Sequence, residues 1–143
     1  MHALQYDIES AWHQQELALR DRILRQPLGL ELSESDRQPD QYSQHFAIVE
    51  NEKMLACVIA TPVNADVTKL RQMAVEPGHQ GKGIGRQLIV FAEQQLQTLG
   101  YQKIELHARE TAIEFYRRLD YQTVGEVFIE QTIPHIKMSK ILV

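Results

Sequence analysis

Residues 75–89 read VEPGHQGKGIGRQLI (Val75–Ile89), and four of the chain's seven glycines, Gly78, Gly81, Gly83 and Gly85, lie within eight consecutive positions of it. The apolar, strand-like LRQMAV (Leu70–Val75) leads into this stretch, and RQLIVFAEQQLQTLG (Arg86–Gly100) follows it. Starting two residues before that second segment, Ile84, Leu88, Phe91, Ala92, Leu96 and Leu99 recur at threes and fours, and Gly100 stands where a C-terminal cap glycine belongs. The glycines therefore occupy a strand-to-helix junction. Glycine clusters where a backbone must adopt positive φ or approach a ligand closely. The N–H groups of a first helical turn lack intrahelical partners, and the helix dipole adds partial positive charge there. With Lys82 and Arg86 beside it, the junction reads as a binding site for a phosphate-like anion.

Spacing excludes two familiar phosphate loops. A P-loop requires G-x-x-x-x-G-K-[ST], which the loop does not contain, and a dinucleotide fingerprint requires G-x-G-x-x-G, where Leu88 follows Gly83 and Gly85. What remains is Gln80-x-x-Gly83-x-Gly85.

Outward from the loop, the apolar residues Ile8, Trp12, Leu19 and Ile23 suit one face of a first helix between Asp7 and Gln26, most economically a core-packing face. The segment 27–43, PLGLELSESDRQPDQYS, is a long connection with room for one helical turn, and long connections in compact domains are often functional. HFAIVE and MLACVIA, separated by NEK, suit an antiparallel hairpin, and VTKLRQMAV is a further strand. YQKIELHA returns to period two, with Glu105 and His107 on one side; ETAIEFYRRL is a shorter helix, and YQTVGEVFI and IPHIKMSKIL are closing strands. The order is helix, loop, three strands, helix, strand, helix, two strands: an α/β architecture around one mixed sheet.

Composition bounds the function. The 143 residues, 43% hydrophobic and 24% charged, suit one domain spanning 1–143. A net charge of −4 argues against a nucleic-acid partner. No apolar run reaches membrane-spanning length and no targeting segment precedes the first helix, so a membrane partner is not expected and a cytoplasmic location is. The one cysteine, Cys57, sits in an apolar run and reads as a small buried hydrophobe rather than a nucleophile. The six histidines have no local zinc spacing, and no metal is expected.

VEPGHQGKGIGRQLI resembles the signature (Arg/Gln)-x-x-Gly-x-(Gly/Ala) of the GNAT N-acetyltransferase superfamily, and AIEFYRRLDYQTVGE resembles that family's second recognisable stretch. Element order from about Phe46 onward agrees, the family placing its glycine loop after a fourth strand. The resemblance implies a mostly antiparallel sheet flanked by helices, with splayed central strands at the cofactor site. It implies acetyl-CoA as co-substrate: the backbone of Met73, Ala74 and Val75 would pair with the pantetheine arm, and Gln80, Gly81, Lys82, Gly83, Ile84, Gly85 and Arg86 would hold the pyrophosphate. Phe115 and Tyr116 would lie at the thioester end, with Tyr116 protonating the departing sulfur. Direct transfer to an amine, without an acyl-enzyme, is implied as well, and members often pair through their C-terminal strands, which allows a homodimer.

An amine with pKa near ~10.4 is unprotonated in only about one molecule in 2,500 at pH 7, a handicap of roughly 4.6 kcal/mol, so the reaction needs a proton acceptor. Glu105 and His107 are both candidates, and Glu76 reads as shaping the turn. The acceptor would approach between the 27–43 loop and the hairpin around Gln131 to His135; small amines, amino acids, polyamines, aminoglycosides and protein amines are all open. The rival reading is a non-catalytic acyl-CoA-binding module, which has no need of Tyr116. Two positions depart from the family pattern: Asp120 stands before Tyr121 where glycine is common, and His107 and Ala108 stand where an asparagine is often found.

Overall fold

In chain order the elements are β1 (His2–Tyr6), α1 (Ala11–Arg20), α2 (Glu34–Arg37), β2 (Gln44–Glu50), β3 (Lys53–Pro62), β4 (Val67–Val75), α3 (Ile84–Thr98), β5 (Lys103–Arg109), α4 (Ile113–Arg117), β6 (Gln122–Glu130) and β7 (Ile133–Ile141). The computed structural model describes residues 1–143, and all seven strands join one sheet in the order β1-β2-β3-β4-β5-β7-β6. Every pairing is antiparallel except β4 with β5.

β1 is absent from the sequence reading. HALQY has too short an alternation to announce a strand, and it forms because the open edge of β2 supplies partners from His2↔Val49 to Tyr6↔His45. Counting it makes the strand before the glycine loop the fourth. The first helix is also shorter than Asp7–Gln26. Ser10 caps it, accepting from the Trp12 N–H, and after Arg20 it widens into a π-helical turn, Asp21–Arg25. Ile8 lies before the cap and is exposed, whereas Trp12, Leu19 and Ile23 do pack toward the sheet. The 27–43 connection holds a four-residue helix, closed by a Ser33–Asp36 capping box, and a 3₁₀ segment, Gln38–Tyr42.

Helices cover both faces of the central strands, so β2 and β3 are buried on both sides. One face packs Phe46, Ile48, Val58, Leu70, Ile104 and Met138 against Leu88, Ile89 and Leu96 of α3; the other packs Ala47, Val49, Cys57 and Ala74 against Leu19 of α1. Cutting a fully buried leucine such as Leu88 to alanine costs about 2–5 kcal/mol. Cys57 is fully buried, and burial pushes its thiol well above the ordinary range, so it is an inert core residue.

The site is made by an irregularity in β4. Ala74 pairs with Cys57 but Arg71 with Ile59, so β4 carries one extra residue, and Gln72 takes it up at φ 58. Leu70 faces the α3 side, and the next residues to do so are Met73 and Val75, an odd step that shows the change of phase. β4 stays paired with β5 only from Val67↔Lys103 to Leu70↔Leu106, after which β5 continues along β7. The two central strands thus split at the middle of the sheet, as the fold resemblance implied.

Candidate active site

The split opens into a cleft of about 1130 Å³. Its floor is β4 from Lys69 to Val75 and β5 from Leu106 to Arg109. The glycine loop borders it, as do Ile23, Leu24, Arg25 and Asp36.

At the loop end, Pro77–His79 forms a 3₁₀ turn, and Gly81 and Gly83 both adopt φ 80, with nothing within 4 Å of where a Cβ would stand. Gly83 is the N-cap of α3 and offers no side chain to its first turn. The chain's backbone hydrogen bonds include none donated by N–H groups from Gly81 to Arg86. Six consecutive donors therefore point outward beside Lys82 and Arg86, a fit for a polyanion such as a pyrophosphate. Gln80 turns inward and donates to the Val75 carbonyl at 3.2 Å, pinning the loop to the strand end. Of the loop residues expected to hold a phosphate, Gln80, Gly81, Gly83, Gly85 and Arg86 line the cleft; Lys82 stands outside, exposed, and Ile84 sends its side chain into the core.

Gly85 shows a second constraint. A Cβ there would come within 3.2 Å of Met73 Cε and 3.2 Å of Phe115 Cζ, so both side chains lie directly on the helix start. Tyr116 stacks edge-on with Phe115, ring centroids 5.0 Å apart, and its hydroxyl reaches Met73 Sδ at 3.4 Å. Burial pushes the Tyr116 pKa up to about 12, so the phenol stays protonated with only a weak sulfur acceptor. The short helix carrying these rings ends at Asp120, φ 72, the left-handed position the sequence assigned to an aspartate replacing glycine.

On the opposite face, His107 Nδ1 lies 2.9 Å from Glu130 Oε1. A carboxylate can only accept, so Nδ1 carries the hydrogen and a neutral ring keeps its Nε2 lone pair free. Burial alone would raise the Glu130 pKa, but the hydrogen bond and charge of His107, with Lys69, hold it below the usual carboxylate range. Glu130 had no signal in the sequence, because only the β6–β7 hairpin, turning through Gln131 and Thr132 at φ 50 and 63, brings it to His107. Glu105 shares the strand face of His107 yet lies off the cleft wall, tied to Lys137 at 3.3 Å and Lys103 at 3.8 Å. Of the two candidates for proton acceptor, His107 lines the cleft and Glu105 does not. Glu76 does shape the turn, through Arg22, whose two guanidinium nitrogens reach its carboxylate at 2.7 and 3.0 Å.

The connection 27–43 and the last hairpin do border the cleft, through Asp36, Gln131 and His135. Asp36 takes two bonds from Arg25, 3.0 and 3.1 Å; burial alone would raise its pKa, but these bonds and the Ser33 N–H hold it to about 2. Behind this wall, Arg20 is buried between Glu16 (2.7 Å) and Asp40 (2.8 Å), and His45 bridges Glu16 and the Asp40 carbonyl. His13, Glu16 and His45 come close enough in space to suit a metal, a grouping invisible to local spacing. The one carboxylate of that grouping, Glu16, is already paired with the Arg20 guanidinium, which also bonds Asp40.

No helix is long and apolar enough to cross a membrane. Among curated proteins, the uncharacterized protein YyaT of Bacillus subtilis (strain 168) is 29% identical over 72 residues, 50% of this chain and 49% of its own; the match spans about half the length of that relative. Among solved structures, ElaA of Escherichia coli superposes with TM-score 0.86 at 18% identity, covering 98% of this chain and 99% of that one. An aminoglycoside 6'-N-acetyltransferase complexed with coenzyme A superposes with TM-score 0.82 at 19% identity, covering 100% and 98%. The model of the acetyltransferase (GNAT) domain matches residues 30–142. With that match lying over the split strands and the glycine loop alike, the chain belongs to the GNAT acetyltransferase family.

Proposed function

We propose that the protein is an N-acetyltransferase, one domain spanning residues 1–143, that moves the acetyl group of acetyl-CoA directly to an amine. The observation that carries this reading is that one cleft is lined by Gly81, Gly83, Gly85 and Arg86 with their free N–H groups, by the unpaired edge of β4 and by Tyr116. Past Leu70 the backbone of Met73 to Val75 has β3 on one side and no strand on the other, a partner for an amide-bearing arm. When bound, acetyl-CoA supplies an acetyl thioester, an electrophilic carbonyl carbon with a thiolate leaving group.

The protein's own groups handle the protons. His107 Nε2 takes the proton that the attacking amine must lose, while Glu130 fixes the ring's tautomer and steadies the imidazolium that results. Tyr116 gives its hydroxyl proton to the departing sulfur and recovers one from solvent. The inert Cys57 offers no acyl-accepting thiolate, in keeping with transfer in a ternary complex.

Calorimetric titration with acetyl-CoA, run beside a thiol-release assay on a panel of amines, tests the proposal. Wild type is expected to bind and turn over, and Gly83→Glu, which forces a side chain and a negative charge onto a φ of 80, to do neither. Binding without turnover of any amine would make the protein an acyl-CoA-binding module instead.

A further inference from the structure

Charge on the acceptor side of the cleft is lopsided. Two of its carboxylates are paired with guanidinium groups, Asp36 with Arg25 and Glu114, toward α4, with Arg117 at 2.8 Å, and the third, Glu130, is hydrogen-bonded to His107 and offsets part of the Lys69 charge. Lys69, Arg71 and Arg109 line the same cleft and make no ion pair. Burial pushes the Lys69 ammonium below its ordinary pKa, opposed by Glu130, and the neighbouring Arg71 guanidinium lowers it further, as expected of a cation short of counter-charge.

Register places these cations close to the reacting centre. Leu70 and Leu106 are the last paired residues of the two central strands, so Arg71 and His107 are the first residues past the split, one on each strand. Lys69 and Arg71 alternate with the buried Thr68 and Leu70, and His107 and Arg109 with the buried Leu106 and Ala108. All four therefore project from the face opposite α3, the face from which Glu130 reaches His107. Paired strands run about 4.8 Å apart, and Arg71 and His107 each stand one residue beyond the last paired positions, Leu70 and Leu106, so the two face each other across the mouth of the split.

We infer that the acceptor is a small amine carrying an anionic group, a carboxylate or a phosphate, a few bonds from its nitrogen, with Arg71 and Lys69 holding the anion while the amine faces His107. This rests on the transferase reading for its amine, though the anion trough stands on charge and register alone. Arg71 stays protonated at any working pH and matches either anion with two parallel N–H donors. A polycation would instead meet unneutralised cations at the point where its amine must sit.

The test uses matched acceptors: glycine against glycinamide, L-glutamate against L-glutamine amide, O-phosphoethanolamine against ethanolamine, with spermidine and kanamycin as polycations. In thiol release with saturating acetyl-CoA, the anionic member of one pair is expected to exceed its neutral analogue in kcat/KM by about tenfold or more. Which pair responds separates carboxylate from phosphate. Arg71→Gln should raise KM for that acceptor by about tenfold, leaving its kcat and the turnover of the neutral analogue nearly unchanged. N-acetylglycine and O-phosphoethanolamine, titrated onto the protein without acetyl-CoA and followed by NMR, read the trough apart from catalysis. Binding that Arg71→Gln abolishes supports the trough even if no amine turns over, in which case the transferase reading alone fails. Preferential turnover of glycinamide, spermidine or kanamycin overturns the trough and leaves the transferase reading standing, and absence of both probe binding and anionic preference overturns it too.

Discussion

The Tyr116 hydroxyl meets Met73 Sδ at 3.4 Å across the split between the two central strands, with no oxygen or nitrogen acceptor competing for its proton. A thioether is a poor acceptor, so the phenol is held in place yet gives up little on turning toward a thiolate. Replacing Tyr116 by phenylalanine keeps the ring and its packing on Phe115 and Tyr121. The expected outcome is a fall in kcat of about 10²-fold with an unchanged calorimetric affinity for acetyl-CoA.

In the proposed mechanism His107 and Glu130 form the other proton device, and the two variants should differ in degree. His107→Gln removes the acceptor itself and is expected to lower kcat/KM by about 10²-fold or more. Glu130→Gln leaves the ring but not the fixed tautomer, and about tenfold is expected. Glu105→Gln, which only loosens an ion pair with Lys137, should alter rate by less than about threefold. A loss at Glu105 equal to that at His107 would reverse the assignment.

Gly85 is where the glycine loop and the leaving-group site touch. Alanine there needs 3.2 Å contacts with Met73 and Phe115 to relax, and overpacking of this kind costs about 1–3 kcal/mol. Met73 Cε, a flexible end, can swing away, but the Phe115 ring can relieve its own 3.2 Å contact only by moving as a whole, taking Tyr116 with it. Gly85→Ala is therefore expected to lower kcat as well as acetyl-CoA affinity, measurable by single-turnover kinetics beside calorimetry.

The buried cluster behind the cleft predicts a pH window for stability. Burial alone would lower the His45 pKa, but Glu16 and the Asp40 carbonyl raise it above its usual 6.5, so its contribution is complete below about 6.5 and is lost as pH rises through the higher folded value. Burial alone would raise Glu16, yet His45, Tyr6 and Arg20 hold it below its usual 4.5; its contribution is present above about 4.5 and is lost as pH falls through the lower folded value. Thermal melts across pH 3 to 9 should show both limbs, and His45→Gln should flatten the alkaline one. Arg20→Met leaves two buried carboxylates uncompensated and is expected to cost about 3–5 kcal/mol in denaturant titrations.

Much of this was legible in the residues. The glycine spacing and the amphipathic run after it marked the strand-to-helix junction, since each depends on local chemistry, whereas Phe115 and Tyr116 came in only through the family resemblance. Features built from distant contacts were not legible. HALQY becomes a strand because β2 has a free edge, Glu130 meets His107 through a hairpin, and the helix started by Ser10 changes to π geometry at Asp21, turning Ile23, Leu24 and Arg25 to the cleft. Glu105 and His107 look alike by alternation and are told apart by the lysines next to one and the carboxylate next to the other.

The extra residue at Gln72 divides β4 into two halves with separate duties. On the proposed reading, what matters upstream is which side chains stand at 69 and 71, and downstream the main chain of 73–75 together with the Met73 side chain under Tyr116. If 69 and 71 hold the acceptor as proposed, divergence in what is modified can accumulate at two positions without disturbing what is donated, and deleting residue 72 would erase the boundary between the two halves.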